Sequence, residues 1–404
     1  MQVRHLSLAN YRNYAHAELV FAPGMNMLVG RNGQGKTNVA EALMYLATLR
    51  SHRISQDAAL IKAGEDSAIV RCRLAQGERE ALLELQLNRG SANKALINRH
   101  SVKTRELTQL ISAVLFAPED LMIVRGEPAT RRSFLDDALI SRHPVAAGAI
   151  ADYEKILRQR NTMLRDFKHT GRSANSIDTL LDVWDEQLVE MGSQIIRHRR
   201  MLIEDLRDPL IQGYFSLVDQ DHQPTIALME SVQETLGVSR ETSGVVDVGA
   251  SVSRETIAEE FRDALRLVRG RELERGQTLV GPHRDDAVLQ LKSLPVKGYA
   301  SHGETWSYVL SLKLALASVL STDTVEGDPV LILDDVFAEL DLGRRERLYA
   351  AVSGYEQVIV TTAVEGDVPQ GHEWHTIRIE AGEVVAIEPV VTQETPDQSS
   401  DTDE

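Results

Sequence analysis

Gly30-Arg31-Asn32-Gly33-Gln34-Gly35-Lys36-Thr37 fits G-x-x-x-x-G-K-[ST], the phosphate-binding loop. A mostly apolar run, Met25 to Val29, leads into it and reads as a buried strand. Ala40, Leu43, Leu46 and Ala47 follow on one face of a helix. Strand, loop and helix together separate the motif from a chance glycine-rich turn. Gly30, Gly33 and Gly35 let the backbone turn its N–H groups toward an anion. The helix adds its positive N-terminal end. The residues from Gly30 through Arg31, Asn32, Gly33, Gln34 and Gly35 thus form the cradle of a nucleotide triphosphate. Lys36 reaches the β- and γ-phosphates, and the Thr37 hydroxyl can ligate Mg²⁺.

Such a loop needs an acidic partner at the end of a neighbouring strand. Val330-Leu331-Ile332-Leu333 is a continuous buried-strand run that ends at Asp334-Asp335, with Asp341 beyond. Asp334 is placed to hold the metal opposite Thr37, and Asp335 to orient the attacking water. An acidic turn after a strand is common by itself, and the pairing with residues 30–37 gives this one its meaning. Ser301-His302-Gly303-Glu304 opens a long apolar helix. It reads as a capping box, Ser301 at the N-cap and Glu304 three residues on. It also fits an ABC-type signature, Ser-x-Gly-Glu, whose serine and helix end bind the γ-phosphate held by a second subunit. The two readings are compatible.

The chain has 404 residues, 43% hydrophobic, with one cysteine, Cys72. A disulfide framework and a four-cysteine zinc site are excluded, and a reducing, cytoplasmic setting is expected. No apolar run approaches the ~20 residues needed to span a bilayer, so no membrane is expected. The net charge is −16. Part of it is local: residues 1–378 carry 44 basic against 52 acidic residues, and the remaining eight acids lie after them. A negative total therefore leaves nucleic acid open as a partner. Two strands, Ala68–Leu74 and Ala81–Leu87, and a third around Lys94–Asn98 predict antiparallel sheet. Between Leu85 and Arg105 lie five basic residues, Arg89, Lys94, Arg99, Lys103 and Arg105, and no acid. They form either a solvated face or a contact for nucleic-acid phosphates. Residues 144–170, 177–212 and 253–274 read as helices, with basic runs Arg158-Gln159-Arg160 and Arg197-His198-Arg199-Arg200 on what would be exposed faces. Breaks are expected at 172–176 and 241–253. Thr278-Leu279-Val280 reads as a strand running into Gly281-Pro282-His283-Arg284-Asp285-Asp286, and Gln357–Thr362 as another.

Loop, signature and acidic strand, in that order, resemble an ABC-type ATPase head of the SMC and DNA-repair class. More specific stretches resemble the RecF family: Leu8-x-x-Tyr11-Arg12-Asn13-Tyr14, Arg50-Ser51-His52-Arg53, Phe116-Ala117-Pro118-Glu119-Asp120-Leu121, Arg131-Arg132-x-Phe134-Leu135-Asp136, Arg160-Asn161, Val280 to Asp286, and Leu333-Asp334-Asp335-Val336-x-x-Glu339-Leu340-Asp341. They cover about residues 3 to 362. The resemblance implies an α/β fold: a mixed sheet around the phosphate loop, an antiparallel β lobe, and an inserted mainly helical lobe. The expected division is 1–140 and 277–385 for the ATPase domain, 141–276 for the helical lobe and 386–404 for an acidic disordered tail.

The same resemblance implies a weak, DNA-stimulated ATPase that uses ATP and Mg²⁺ and dimerises on ATP. It implies binding to single-stranded, gapped and junction DNA, and work with RecR and RecO to load RecA. By this resemblance Lys36, Asp335 and Ser301 carry catalysis, Ser301 across the dimer. Thr37 and Asp334 hold the metal, and Arg12 and Asn13 join the loop in contacting nucleotide. Four features depart from the pattern: the signature ends in Glu304-Thr305 where Gln is common, Ala300 replaces its leading Leu, Thr361-Thr362 stands where transporter subunits carry a switch histidine, and no Q-loop residue is evident. A transporter subunit would have the loop and signature much closer than the 265 positions from Lys36 to Ser301. A true SMC protein would insert coiled coils of hundreds of residues.

Overall fold

The structure, a computed structural model, describes residues 1–51, 53, 54, 56–170, 175–237, 252–323 and 327–388. His52, most of the expected breaks at 172–176 and 241–253, and the acidic tail beyond Glu388 lie outside the described residues.

Buried, mostly apolar runs build the centre. Gly24–Val29, Val330–Asp334 and Gln357–Thr362 are buried along almost their whole length, as strands covered on both faces must be. They join Ala113–Phe116 and His375–Glu380 in a parallel sheet, to which Glu383–Glu388 adds an antiparallel edge. Successive side chains of a strand point to opposite faces. Leu331 and Leu333 accordingly pack with the helices Pro128–Arg142, Asn175–Val218 and His302–Asp323. Val330 and Ile332 pack on the other side with Val39, Leu43 and Leu46 of the helix Lys36–Thr48.

That helix is sandwiched. Its far side meets a six-stranded antiparallel sheet, Tyr14–Val20, Gln2–Tyr11, Ser67–Gln76, Arg79–Asn88, Lys94–Ile97 and His100–Val102 in spatial order. Leu6, Leu8, Val70, Cys72 and Leu85 alternate inward there. The helices Ala146–Thr170, Asn175–Val218 and Arg254–Arg275 form a separate core around Tyr153, Leu188, Ile196, Phe261 and Leu265.

Three differences from the sequence-based expectation have physical causes. Residues 278–280 are not a strand; the strand is Asp286–Leu291, paired with Thr225–Met229. The backbone N–H groups of Thr278 and Leu279 donate instead to the side chains of Asn161, at 2.7 Å, and Glu272, at 2.8 Å. Side chains thus take the place of a ladder. His375–Glu380 and Glu383–Glu388 form a hairpin where no strand was expected, and the second runs past the expected start of the tail at 386. Arg160, Arg199 and Arg200 are buried rather than on exposed helix faces. Arg200 forks onto Glu230 with two bonds of 2.6 Å. Arg199 donates to the Pro282 carbonyl and to Asp136, both at 2.7 Å.

Candidate nucleotide site

The strand Gly24–Val29 delivers the loop to the carboxyl edge of the parallel sheet, and the helix Lys36–Thr48 leaves from it. Gly35 has φ +122°, and a Cβ there would lie 2.6 Å from the Tyr14 hydroxyl and 2.8 Å from the Asn13 amide. Glycine is required at this position on both counts. The Lys36 ammonium donates to the carbonyls of Gly30, at 2.5 Å, and Arg31, at 3.2 Å. Burial lowers its pKa from the ordinary lysine value, opposed by the charges of Asp335 and Asp334. Arg31, Asn32 and Gly33 are exposed on the rim.

Thr37 and Asp334, 297 positions apart in sequence, meet: the Thr37 hydroxyl donates to Asp334 Oδ1 at 3.1 Å. Asp334 is buried. A hydroxyl and a carboxylate are hard oxygen donors of the kind a small divalent cation takes beside phosphate oxygens. Asp335, next to it, has φ +55° and a buried Oδ1 with no hydrogen-bond partner. Burial pushes its carboxyl up, with Lys36 opposing. The loop lysine and both acids are therefore in one place.

Asn13 bonds the loop directly, its amide donating to the Gln34 carbonyl at 2.8 Å. Arg12 forks onto Glu41 of the following helix at 2.7 and 2.6 Å. Glu41 is completely buried and also accepts from Ser51 at 2.5 Å. Burial works against its charge, but the bonds from Arg12 and Ser51 hold the carboxyl below the usual range. Arg12, Asn13, Asn38, Arg53 and Arg89 line a basic cleft of about 540 Å³ beside the loop.

Ser301 stands apart from this cluster. Its hydroxyl accepts from the Glu304 N–H at 3.2 Å, and its own N–H donates to Glu304 at 2.9 Å. The capping box is thus present. The Ser301 N–H, and then the Lys292 ammonium, hold the Glu304 carboxyl down to about 2. Ser301 is exposed and its bonds stay within its own helix. Gly303 packs against Arg344, where a Cβ would come within 2.6 Å of the guanidinium.

Two contributors escaped sequence reasoning. Thr361 lies in register with Asp334 on the adjacent strand and donates to Asp334 Oδ1 at 2.5 Å. The turn of the C-terminal hairpin clasps the loop: Ala381 N–H donates to the Gln34 side chain, and Gly382 N–H to its carbonyl at 3.1 Å. The signal for Thr361 was its place at the end of a buried strand. The hairpin left none, because its grip is through backbone atoms.

The five basic residues Arg89, Lys94, Arg99, Lys103 and Arg105 are exposed. Among the described residues none of their side chains forms an ion pair; the Arg89 guanidinium donates to the Glu65 carbonyl at 3.3 Å, and only the backbone N–H of Lys103 reaches a carboxylate, that of Glu106 at 3.1 Å. No helix among the described residues is long and apolar enough to cross a membrane.

Residues 2–385 match the family described as RecF/RecN/SMC N terminal domain. The chain is 50% identical to the DNA replication and repair protein RecF of Leifsonia xyli subsp. xyli over 385 residues, 95% of this chain and 99% of the relative. It is 45% identical to that of Frankia alni over 389 residues, again 95% and 99%. A solved structure of the recombination mediator protein RecF with ATP, in the RecFOR pathway, superposes with TM-score 0.81 at 28% identity over 96% of both chains. An SMC head domain from Pyrococcus furiosus, 14% identical over 94% of each chain with TM-score 0.51, shares the fold alone.

Proposed function

The chain belongs to the RecF family of ABC-type ATPases, and on that premise we propose that it is an ATP-gated DNA clamp of recombinational repair and replication restart. Two ATP molecules, each with Mg²⁺ on Thr37 and Asp334, bind between two copies of the chain. Lys36 and the loop of one copy hold the phosphates, Ser301 of the other closes over the γ-phosphate, and Asp335 orients the water. Slow hydrolysis, stimulated by DNA, resets the dimer. In the closed state the exposed basic hairpin, from Arg89 to Arg105, meets the phosphates of single-stranded, gapped or junction DNA. The protein works in the cytoplasm with RecR and RecO to load RecA. By the same proposal residues 1–140 and 277–385 are the ATPase domain and 141–276 the helical lobe.

One observation carries the reading. Lys36, Thr37, Asp334 and Asp335 converge, while the signature serine makes all its bonds elsewhere. Each copy holds half of two sites, and ligand binding to a dimer that closes can shift its population. The test is binding to gapped, duplex and single-stranded DNA with ATP, ADP or no nucleotide, as salt is raised. ATP should tighten binding at least tenfold, and affinity should fall with salt at a slope of about −0.7 to −0.9 per phosphate contacted. Affinity indifferent to nucleotide would rule out the clamp.

Ser301→Arg separates the two halves. The bulky cation enters the interface but leaves the loop of the same chain alone. ATP affinity of the monomer should stay within about twofold. The ATP-induced doubling of mass in light scattering should vanish, and a dimer that persists would remove Ser301 from the interface.

A further inference from the structure

We propose that Thr361 is a positioning residue for both acids of the site, its single hydroxyl fixing the metal-side carboxylate of Asp334 and the backbone of Asp335 together. The inference rests on the reading that this site binds and hydrolyses ATP with a divalent metal.

The strand register sets the arrangement, because Asp334 and Thr361 are direct partners on adjacent parallel strands. Thr361 is 1% exposed. Its hydroxyl lies 2.5 Å from Asp334 Oδ1 and 3.0 Å from the Asp335 nitrogen. The roles are unambiguous. An ionised carboxylate only accepts and a backbone N–H only donates. The hydroxyl proton therefore goes to Asp334, and an oxygen lone pair receives the Asp335 N–H. The Thr361 carbonyl accepts the same N–H at 3.2 Å. Asp335 sits at φ +55°, a region that costs a residue with a Cβ about 1 kcal/mol or more. These bonds hold it there and so set where its carboxylate points. On the other side, Thr37 donates to the same Asp334 Oδ1 at 3.1 Å. Asp334 Oδ1 is thus held between two hydroxyls, one from the loop helix and one from the sheet. The hydroxyl of Thr362, one residue on, bonds into its own turn at Val364.

Valine has nearly the shape of threonine and neither bond. The experiment compares Thr361→Val, Thr361→Ser and Thr362→Val with the wild-type chain. ADP affinity is measured by titration calorimetry in EDTA and in Mg²⁺, beside ATP turnover. In Thr361→Val, affinity in EDTA should stay within about twofold. The gain on adding Mg²⁺ should shrink about tenfold, the scale of one lost charge-assisted bond. Turnover should fall about a hundredfold with KM little changed, since Asp334 and Asp335 are both released. Thr361→Ser should restore the Mg²⁺ gain and turnover to within about threefold, and Thr362→Val should leave the Mg²⁺ gain untouched. An undiminished Mg²⁺ gain in Thr361→Val overturns the proposal. So does a loss of EDTA affinity with a lowered melting temperature, which would mark a merely structural role. If the wild-type chain itself gains nothing from Mg²⁺ and turns over no ATP, the underlying reading fails instead.

Discussion

Lys36→Ala is expected to abolish measurable ATP binding while the chain stays folded. The ammonium carries three protons, and two are engaged by the Gly30 and Arg31 carbonyls at 2.5 and 3.2 Å. The third is the one a phosphate oxygen takes. The same charge stands against Asp335 and Asp334, so its removal leaves two carboxylates facing an incoming polyphosphate. A charge-assisted bond contributes about 1.5–3 kcal/mol, and the uncompensated repulsion adds to that. A loss of at least ~3 kcal/mol is expected, or more than a hundredfold in affinity. Stability should change little, because burial disfavours the ammonium in the free chain and its truncation also removes that penalty. Isothermal titration with ATP, beside a melting curve, checks both halves. Undiminished affinity would mean that the loop does not hold the phosphates.

Legibility in the sequence followed the range of the interaction. The loop Gly30–Thr37, the run into Asp334 and the box Ser301–Glu304 were readable because each is written in consecutive residues with a known local geometry. Their meeting was readable from what a phosphate loop requires, an acidic partner at the end of a neighbouring strand, since nothing local brings Thr37 to Asp334. Thr361 was assigned no role because its partner is fixed by register between parallel strands, a property of the sheet and not of either strand. The hairpin Ala381–Gly382 grips Gln34 mostly through N–H groups that every residue carries. The run Arg197 to Arg200 shows the opposite failure. Four polar side chains in a row look solvated, yet a helix turns them in different directions. Arg199 and Arg200 are buried against Asp136 and Glu230.

Arg160 is where that misreading has its largest consequence, and Arg160→Ala is expected to destabilise the chain most among the helical-region arginines. The guanidinium is 0% exposed. Its Nε donates to Asp185 at 2.7 Å, one terminal nitrogen to the Thr278 hydroxyl at 2.9 Å and the other to Glu272 at 2.7 Å. These partners lie on the helices Asn175–Val218 and Arg254–Arg275 and on the chain segment before Asp286. One side chain therefore pins three segments to the helix Ala146–Thr170. Truncation leaves Glu272, also 0% exposed, with a buried charge and the Leu279 N–H as a remaining donor. Removing one member of a buried ion pair costs about 3–5 kcal/mol, which lowers the melting temperature by roughly 5–15 °C for domains of this size. Lysine should not rescue it, since a point charge cannot span three partners set around a planar fork. Arg160→Met with Glu272→Gln should recover part of the loss, because the stranded charge is what costs most. Arg158, two residues earlier, has a side chain 70% exposed and a Glu154 partner at 3.6 Å. Arg158→Ala should shift stability by less than about 0.5 kcal/mol. Equal effects at the two positions in urea melts would show that Arg160 is not buried as an ion pair, and that the helices meet through their apolar core alone.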